Sequence, residues 1–511
     1  MNKASRTKNV ARNVTVSLIC QALNILLQFV GRTIFIYVLG KEYLGVNGLF
    51  TNILTMLSFA ELGIGNAMVF SMYKPLSTGD THKLQSIMKL YRKSYIIIGI
   101  VVAGLGLCVI PFLDQMIGKT PDIPESITLI YILYLANSAS SYFFVYKKSI
   151  IIADQRQYIV NIYQEITGFI QLILQSVILF LTKNFLLYLL IQIVCTLFNN
   201  VWTAHKANKL YPFLKEKAED LSKEEKKGIF SNVSSLALYK FGSAILNGTD
   251  NIIISYMFSI VFVGMVSNYV MIINMCTTIL SKVTSSFTAS IGNLNAEGNP
   301  EKQYRVFVKM LFLSVWIFGF ASFGMMLFLN DFIDLWVGED YVLPYITLLS
   351  LVLSFYVSSV QFATYTYRTT LGLFRQGRFA PIIAALVNIA ASIFLAKLIG
   401  LSGIFFATAI SRFFVITLVD VQLVYRLGFH KKPIKYYGMY FGYLIIIIGV
   451  YLLSRAILSF IDLTGVVGLI VKVIVASVIY NGVFLLVFGK TSMFKEIIKS
   501  FLSLFLRKKK G

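Results

Sequence analysis

Ionisable side chains lie within long apolar runs of this chain, where a charge needs a physical reason. They are Arg32, Glu61, Lys240, Asp250 and Arg412. A charged group near the middle of a hydrocarbon layer costs roughly 3 kcal/mol on insertion scales, so such groups usually serve a function. Mixed signs with an excess of cations favour a hydrated cavity and an anionic cargo. The structural alternative is ionic contacts of Arg32 with Glu61 and of Lys240 with Asp250.

Polar side chains follow the same segments in stripes. One stripe contains Ser17, Gln21, Asn24, Gln28 and Arg32, and another contains Lys240, Ser243, Asn247 and Asn251. Steps of three or four residues place each set on one face of a helix. Because Ser, Thr and Asn commonly bond neighbouring helices in membranes, each stripe lines either a polar cavity or a contact between helices.

The segments that carry these residues have the composition of membrane helices. The chain is 57% hydrophobic and 14% charged, whereas a soluble chain carries about a quarter charged residues. The apolar runs are continuous and about 20 residues long, which suits a helix that crosses a core of roughly 30 Å. A membrane barrel requires alternation instead. The sequence therefore predicts an all-α, polytopic membrane protein.

Fourteen membrane spans are predicted, and the basic residues orient them. Of the 46 Lys and Arg residues, 36 fall on the side of the N-terminus and five on the opposite side. Because cytoplasmic segments carry the excess of cations, both termini are expected in the cytoplasm. This bias explains the net charge of +23 without a nucleic-acid partner. The spans cover residues 13–38, 43–70, 94–114, 126–146, 157–182, 185–204, 229–256, 260–287, 306–330, 343–366, 379–399, 402–425, 437–459 and 464–488.

The chain contains an internal repeat. A shift of 219 residues aligns Gly45 with Gly264 and Met56 with Met275, at corresponding points of two sets of six spans. Six spans separate the copies, so both have the same orientation and form a parallel repeat. The predicted organisation is an N-lobe at 1–217, a C-lobe at 218–430, and two further spans with a basic tail at 431–511. The charged stretch 206–227 is the expected cytoplasmic linker.

No cofactor, metal site or enzymatic centre is predicted. Cys20, Cys108, Cys195 and Cys276 are isolated within apolar spans, and the three histidines lie in polar loops. This spacing matches no metal site. A membrane glycosyltransferase or polymerase would need large external loops with catalytic groups, and the predicted loops are short. The sequence therefore predicts a transporter and not an enzyme.

Short motifs add a family resemblance. They are residues 31–45 (GRTIFIYVLGKEYLG), residues 61–67 (ELGIGNA), the pair Asp250–Asn251 and residues 400–412 (GLSGIFFATAISR). These stretches resemble the polysaccharide (Wzx-type) flippases of the multidrug/oligosaccharidyl-lipid/polysaccharide exporter superfamily. The resemblance covers nearly the whole chain, including the plan of fourteen spans in two lobes.

The resemblance implies translocation of an undecaprenyl-pyrophosphate-linked oligosaccharide from the inner to the outer leaflet of a bacterial cytoplasmic membrane. Such repeat units supply O-antigen, capsule or exopolysaccharide assembly. The implied mechanism is alternating access by two rocking lobes, with the prenyl chain in lipid and the headgroup in the cavity. The implied partners are this substrate, membrane lipid and a coupling ion, either a proton or sodium.

Candidate residues for these roles follow from their charge and position. The substrate-binding candidates are Arg32, Lys240, Lys282, Arg412, Gln28 and Asn247. A pyrophosphate requires cations, and an arginine can bind it through two parallel hydrogen bonds. The ion-coupling candidates are Glu61, Asp250, Glu165 and Asp420, of which the last two lie nearer the cytoplasmic ends of their spans.

Two alternatives remain within the same superfamily. A lipid II flippase of peptidoglycan synthesis has fourteen spans and a cationic cavity, but the charges here are more mixed and less concentrated in the first two spans. A cation-coupled exporter of small molecules or drugs usually has twelve spans, so the two additional spans disfavour it.

Overall fold

The computed structural model describes residues 3–61, 64–216, 218–231, 234–285, 291, 294, 299–373 and 376–507. Helices make up most of these ranges, and no strand occurs within them. Continuous apolar segments form helices because their backbone N–H and C=O groups then pair within one segment. The predicted all-α class is confirmed. Leu62 and Gly63 of the 61–67 motif, and residues 508–511 of the basic tail, lie outside the described residues.

The first of two compact units extends from Met1 to Ser267. Its α-helices are α1 (Lys3–Leu39), α2 (Lys41–Leu57), α3 (Ile64–Thr78), α4 (Thr81–Val109), α5 (Leu113–Ile117), α6 (Ile127–Ser141), α7 (Lys148–Ala153), α8 (Gln157–Thr182), α9 (Phe185–Leu210), α10 (Lys223–Ser231) and α11 (Ser234–Met257). A short 3-10 turn, Ser58–Glu61, follows α2. Helix α12 (Ile260–Ser285) begins in this unit and ends in the second.

The second compact unit extends from Asn268 to Gly511. Its α-helices are α13 (Pro300–Val337), α14 (Tyr345–Val360), α15 (Phe362–Thr370), α16 (Ala380–Ile399), α17 (Leu401–Ser411), α18 (Leu418–Leu423), α19 (Ile434–Leu458), α20 (Gly465–Phe488) and α21 (Ser492–Arg507). Two π-helical segments, Arg412–Thr417 and Val424–Gly428, flank α18. The predicted lobe boundary at residue 218 is a boundary of the repeat, and it stays a prediction.

Within the described ranges, 12 helical segments are long and apolar enough to cross a membrane. They correspond to the predicted spans except 43–70 and 229–256. The first of these two consists of α2 and α3 with the turn Ser58–Glu61 between them, and the second corresponds to α11 with its charged residues. Both exceptions are therefore helical segments that carry polar or charged residues. Because 12 helical segments are long and apolar enough to cross a membrane, the chain is a multi-pass membrane protein.

Helix boundaries recur at the predicted shift of 219 residues. Helices α2 and α12 start at Lys41 and Ile260, and α4 and α13 start at Thr81 and Pro300. In each pair the second residue follows the first by this shift. The repeat that the sequence predicts is therefore also present in the positions of the helices.

The starts of α4 and α13 are capped in the same way. The Asp80 carboxylate accepts a hydrogen bond from the backbone N–H of Lys83 at 2.8 Å. At the shifted positions, the Asn299 side-chain oxygen accepts one from the backbone N–H of Lys302 at 3.1 Å. Such a cap contributes about 1 kcal/mol because it satisfies a donor that the helix leaves unpaired.

Helix α2 and the first turns of α12 approach each other at glycine positions. A Cβ atom on Gly45 would lie 2.0 Å from the carbonyl oxygen of Ile260. One on Gly264 would lie 2.5 Å from the carbonyl oxygen of Lys41 and 3.0 Å from the nitrogen of Gly45. Small residues permit this close approach of membrane helices. Gly45 and Gly264 are aligned by the repeat, so equivalent positions of the two copies contact each other.

The two helices that follow the repeat, α19 and α20, belong to the core of the second unit. Tyr480 donates its hydroxyl hydrogen to the carbonyl oxygen of Trp316 at 3.1 Å. A Cβ atom on Gly319 would lie 2.6 Å from the Cδ1 atom of Ile447. Both contacts join this helix pair to α13, so it is part of the packed unit and not a loosely attached extension.

The charged linker packs against the start of α4. Lys89 forms an ion pair with Asp220 at 3.0 Å, and Lys83 forms one with Glu225. Because these ammonium groups donate hydrogen bonds to the carboxylates, the pKa of Asp220 and the pKa of Glu225 lie below their usual range. The linker is therefore held by ion pairs at the surface of the first unit.

Candidate translocation and coupling sites

Arg32 connects α1 to α12 in the first unit. Its guanidinium donates to the Ser267 carbonyl oxygen at 3.2 Å and to the Ser267 hydroxyl oxygen at 3.0 Å. Within the described ranges no ion pair joins Arg32 to Glu61, so this structural alternative from the sequence is wrong. The guanidinium is half-buried, and its hydrogen bonds go to neutral oxygens. Arg32 thus retains a positive charge with no carboxylate partner in the described part of the chain.

Two tyrosine side chains lie near the Arg32 guanidinium. The phenol groups of Tyr134 and Tyr188 lie within electrostatic range of it. The Tyr134 hydroxyl donates to the side-chain oxygen of Asn47, and the Tyr188 ring packs edge-on against Phe35 at 5.4 Å between ring centroids. Sequence spacing did not identify these groups, because they come from α2, α6 and α9 and meet Arg32 only in the tertiary structure.

The polar stripe of α1 bonds in part to α8. Ser17 accepts a hydrogen bond from Asn161 at 2.8 Å, and Asn24 lies within hydrogen-bonding reach of the Glu165 carboxylate. Gln28 is exposed and donates to the Asn24 side-chain oxygen. The helix-to-helix interpretation therefore applies to this part of the stripe. Glu165, one of the coupling candidates, belongs to that contact.

Helix α11 carries three further candidates. Lys240 and Asp250 are half-buried, and Asn247 is exposed and donates to the Ser243 carbonyl oxygen at 2.7 Å. Because α11 is continuous from Ser234 to Met257, Lys240 and Asp250 lie about 15 Å apart along its axis. The structural alternative of an ionic contact between them is therefore wrong, since an ion pair requires its atoms to be within about 4 Å of each other.

Glu61 lies in the turn between α2 and α3 and ends a chain of hydroxyl groups. Tyr95 donates to the Glu61 carboxylate at 2.6 Å, and Tyr91 donates to the Tyr95 oxygen at 3.3 Å. Ser149 donates to the Tyr91 oxygen at 3.1 Å. We call Ser149, Tyr91 and Tyr95 the hydroxyl chain. The ammonium of Lys148 lies within electrostatic range of the same carboxylate.

Asp420 forms a buried ion pair in the second unit. Its carboxylate accepts a hydrogen bond from Arg368 at 2.6 Å and one from Gln361 at 3.2 Å. The Asp420 side chain is 0% exposed and that of Arg368 is 3% exposed. The sequence counted Arg368 among the basic residues of a cytoplasmic segment, whereas its side chain is in fact buried against this carboxylate. Arg368 and Asp420 are 52 residues apart in the sequence, so no local pattern could predict their contact.

The remaining cationic candidates lie in different environments of the second unit. Lys282 is exposed near the end of α12. Arg412 is half-buried and begins the first π-helical segment. Such segments are frequent at functional sites, because the widened turn redirects side chains. Among the candidates, Arg32, Glu61 and Asp420 thus have different partners, which are Ser267, Tyr95 and Arg368.

Comparisons with known proteins identify the fold. Neither a protein-family model nor a curated protein matches the sequence. The lipid II flippase MurJ in an inward closed conformation matches with a TM-score of 0.64 at 13% identity, over 94% of this chain and 99% of that chain. An inward-facing multidrug resistance MATE family transporter of the MOP superfamily matches with a TM-score of 0.62 at 14% identity, over 79% and 93%. The chain has the MOP-transporter fold.

A third MOP-fold structure shows that pocket chemistry varies within this fold. A MOP superfamily transporter from Pyrococcus furiosus matches with a TM-score of 0.56 at 13% identity, over 84% of this chain and 97% of that chain. That protein is described as having a binding pocket of reverse polarity that suggests a different function. The superfamily that the motifs resemble is therefore supported at the level of the fold, and the cargo depends on the individual site residues.

Proposed function

We propose that this chain is a flippase that moves an undecaprenyl-pyrophosphate-linked oligosaccharide from the inner to the outer leaflet of a bacterial cytoplasmic membrane. The translocated repeat unit supplies surface-polysaccharide assembly, such as O-antigen, capsule or exopolysaccharide. Transport follows alternating access of two lobes, with both termini of the chain in the cytoplasm. The prenyl chain stays in lipid while the charged headgroup crosses.

The observation that carries this proposal is the extent of the fold match. The lipid II flippase matches 94% of this chain, whereas the MATE and Pyrococcus structures match 79% and 84%. The additional length of this chain that the lipid II flippase covers is comparable to the combined length of α19 and α20, the helix pair that packs on α13. Lipid II is itself a sugar linked to a prenyl chain through pyrophosphate. A fold of this length therefore favours a lipid-linked cargo over a small molecule.

The cationic candidates supply the chemistry that such a headgroup needs. Arg32 holds a guanidinium half-buried among phenol groups, with neutral oxygens as its partners. A guanidinium binds phosphate oxygens through two parallel hydrogen bonds, and a site of low polarity strengthens them. Lys240 provides a point charge on α11, at the start of the second copy of the repeat. Lys282, Arg412, Gln28 and Asn247 are the accompanying donors in the proposed path.

A lipid II flippase is the second candidate, and the same match to MurJ favours it. Both cargoes carry a prenyl pyrophosphate, so the cationic residues have the same role in each. The two candidates differ in the sugars and in the pathway that they supply. Rescue of a strain depleted of its lipid II flippase would identify peptidoglycan as the pathway, and rescue of a strain lacking a repeat-unit flippase would identify surface polysaccharide.

Substitution of Arg32 and Lys240 tests the proposed function. Arg32→Gln or Lys240→Gln should reduce restored surface polysaccharide about tenfold or more, since each removes a charge-assisted hydrogen bond to phosphate. Arg32→Lys should keep part of the activity, because it retains the charge and loses the planar fork. Polysaccharide is measured in a flippase-deficient strain and divided by protein abundance.

Lys397→Gln serves as the matched control, since Lys397 is an exposed cation in the last turn of α16. It should leave activity unchanged. Full activity of both Gln variants of the candidate residues at wild-type abundance would contradict the phosphate-binding role. A loss of abundance in proportion to activity would instead assign Arg32 a structural role through its contact with Ser267.

A further inference from the structure

An apolar pocket lies within the second unit, where α12, α13, α20 and α21 meet. Its lining includes Cys276 of α12, Trp316 and Phe320 of α13, Asn481 of α20 and Ile498 of α21. The Trp316 indole donates a hydrogen bond to the Asn481 side-chain oxygen at 3.3 Å, so these two polar groups satisfy each other. The other lining side chains are apolar apart from the Cys276 thiol. Such a lining suits a hydrocarbon chain, because a charged headgroup would be costly to bury there.

The size of the pocket suits one fatty acyl chain. Its volume is about 590 Å³. A methylene group takes up about as much space as a water molecule in the liquid, so at roughly 30 Å³ each the pocket holds about 20 of them. Phospholipid acyl chains have a similar length, whereas an undecaprenyl chain is much longer. Ile279 and Phe320 in the lining are 49% and 37% exposed, so the pocket is open on one side and a chain can enter it.

Helix α21 forms one wall of this pocket and packs on α13. Only three residues separate it from the end of α20. Phe494, Ile497 and Ile498 are spaced by three or four residues and therefore share one helix face. Phe494 and Ile497 are buried in the core of the unit, and the Phe494 ring lies 5.3 Å from the Trp316 ring. The apolar face of α21 is thus fixed against the membrane helices.

The polar residues of α21 carry an excess of positive charge beside the pocket. Lys495 and Lys499 are exposed and lie one helical turn apart, on either side of Ile498 in the sequence. Glu496 is exposed as well, but it forms an ion pair with Lys309 of α13. An amphipathic helix with lysines on its polar face lies along a membrane surface and attracts anionic headgroups. The two lysines therefore place cations next to the apolar pocket.

We infer that this pocket and the lysines of α21 form a binding site for an anionic phospholipid. One acyl chain lies in the pocket beside Trp316 and Phe320, and the phosphate of the headgroup contacts Lys495 and Lys499. Burial of the acyl chain supplies affinity, and the ammonium groups supply the preference for a negative charge. The site includes neither Arg32 nor Lys240, so it is separate from the proposed path of the cargo and does not depend on which cargo is moved.

Fluorescence of Trp316 tests this site directly, because brominated acyl chains quench a tryptophan that they contact. The chain contains three tryptophans, so Trp202→Phe with Trp336→Phe leaves Trp316 as the single emitter. The purified full-length protein in detergent is titrated with phosphatidylglycerol or phosphatidylcholine that carries the same brominated chain. Phosphatidylglycerol should quench at a concentration roughly fivefold or more below that of phosphatidylcholine, because its headgroup is anionic.

Two variants separate the acyl-chain contact from the headgroup contact. Ala321→Phe adds a ring to the lining of the pocket and should weaken quenching by both lipids. Lys495→Gln with Lys499→Gln should remove the preference for phosphatidylglycerol and leave binding of phosphatidylcholine unchanged. The matched control is Lys183→Gln with Lys397→Gln, which removes the same charge from exposed positions outside α21. This control should keep the preference.

Labelling of Cys276 measures occupancy of the same pocket with all three tryptophans in place. Replacement of Cys20, Cys108 and Cys195 by alanine leaves Cys276 as the single thiol, and it lines the pocket. Phosphatidylglycerol should slow its reaction with a maleimide more than phosphatidylcholine does at the same concentration. This variant keeps the site testable if the tryptophan substitutions prevent folding.

The outcomes that would overturn the inference are distinct. Equal quenching by the two lipids would contradict the preference for an anionic headgroup. Absence of quenching together with unchanged Cys276 labelling would remove the site. Displacement of brominated phosphatidylglycerol by undecaprenyl phosphate at a lower concentration than by unbrominated phosphatidylglycerol would assign the pocket to a prenyl chain. None of these results bears on the surface-polysaccharide assay of Arg32 and Lys240, so the proposed function is judged separately.

Discussion

The fourth predicted span of each repeat ends in a polar cluster, and the two clusters differ. In the first unit, Ser149 starts the hydroxyl chain and the Tyr142 ring lies 6.0 Å from the ring of its last member. The positions 219 residues later are Arg368 and Gln361, and both donate to the buried carboxylate of Asp420. The first cluster is made of hydroxyl groups, and the second contains a buried ion pair.

The carboxylate and the two phenol groups of the first cluster are not repeated in the second unit. The positions that correspond to Glu61, Tyr91 and Tyr95 are Leu280, Met310 and Ser314. The two copies of the repeat thus share helix boundaries but differ in the polar residues at one end of the fourth span. One copy places a carboxylate at the end of a chain of hydroxyl groups, and the other uses its carboxylate to neutralise an arginine.

Breaking the buried ion pair should have the largest effect. Asp420→Leu should destabilise the protein by roughly 3–5 kcal/mol, because it leaves the Arg368 charge buried without its carboxylate. The double variant Arg368→Met with Asp420→Leu should recover most of that loss. Thermal unfolding in detergent and protein abundance in membranes measure both. Glu61→Gln is the counterpart in the first unit and should unfold close to the wild-type temperature. Equal destabilisation by Asp420→Leu and Glu61→Gln would remove the distinction between the clusters.

Adding one methyl group at each cluster should have an intermediate effect. A Cβ atom on Gly377 would lie 2.9 Å from the Arg368 Cζ atom, and one on Gly65 would lie 3.3 Å from the Tyr91 oxygen. Gly377→Ala should cost about 1–3 kcal/mol of stability, since the buried ion pair cannot move without losing its geometry. Gly65→Ala should cost less, because the groups next to Gly65 are neutral hydroxyl groups. A larger loss of unfolding free energy in Gly65→Ala than in Gly377→Ala would contradict the comparison.

The smallest effect concerns the charged linker that packs on α4. Since the pKa values of Asp220 and Glu225 are lowered by Lys89 and Lys83, their ion pairs contribute at neutral pH and are lost as the pH falls through the lowered pKa values. A spin label at Glu224→Cys in a cysteine-free background should therefore become more mobile only when the pH falls below the usual pKa range of carboxyl groups. Lys89→Gln should make the label more mobile at neutral pH. High salt should act in the same direction, because these ion pairs are exposed.

Local properties of the sequence determined the class, the repeat and the candidate charges of this protein. Hydropathy and run length predict membrane helices without reference to the rest of the chain, since each helix satisfies its own backbone in lipid. The same reasoning identified Arg32, Glu61 and Asp420 as intramembrane charges. The shift of 219 residues predicted helix starts that recur at Lys41 and Ile260. Hydropathy depends on neighbouring residues, and the repeat is visible when the sequence is compared with itself, so the sequence alone carries both features.

The partners of those charges were decided only by the tertiary structure. The sequence left an ion pair of Arg32 with Glu61 open as an alternative to a hydrated cavity, whereas Arg32 binds Ser267 and Glu61 binds Tyr95. Asp420 meets Arg368, which sequence reasoning placed in a basic cytoplasmic segment. Periodicity shows which residues share a helix face, but it does not show which helix that face meets. The packing of helices that are distant in sequence determines which faces meet. Each buried charge then binds a donor or counterion that lies on the facing helix.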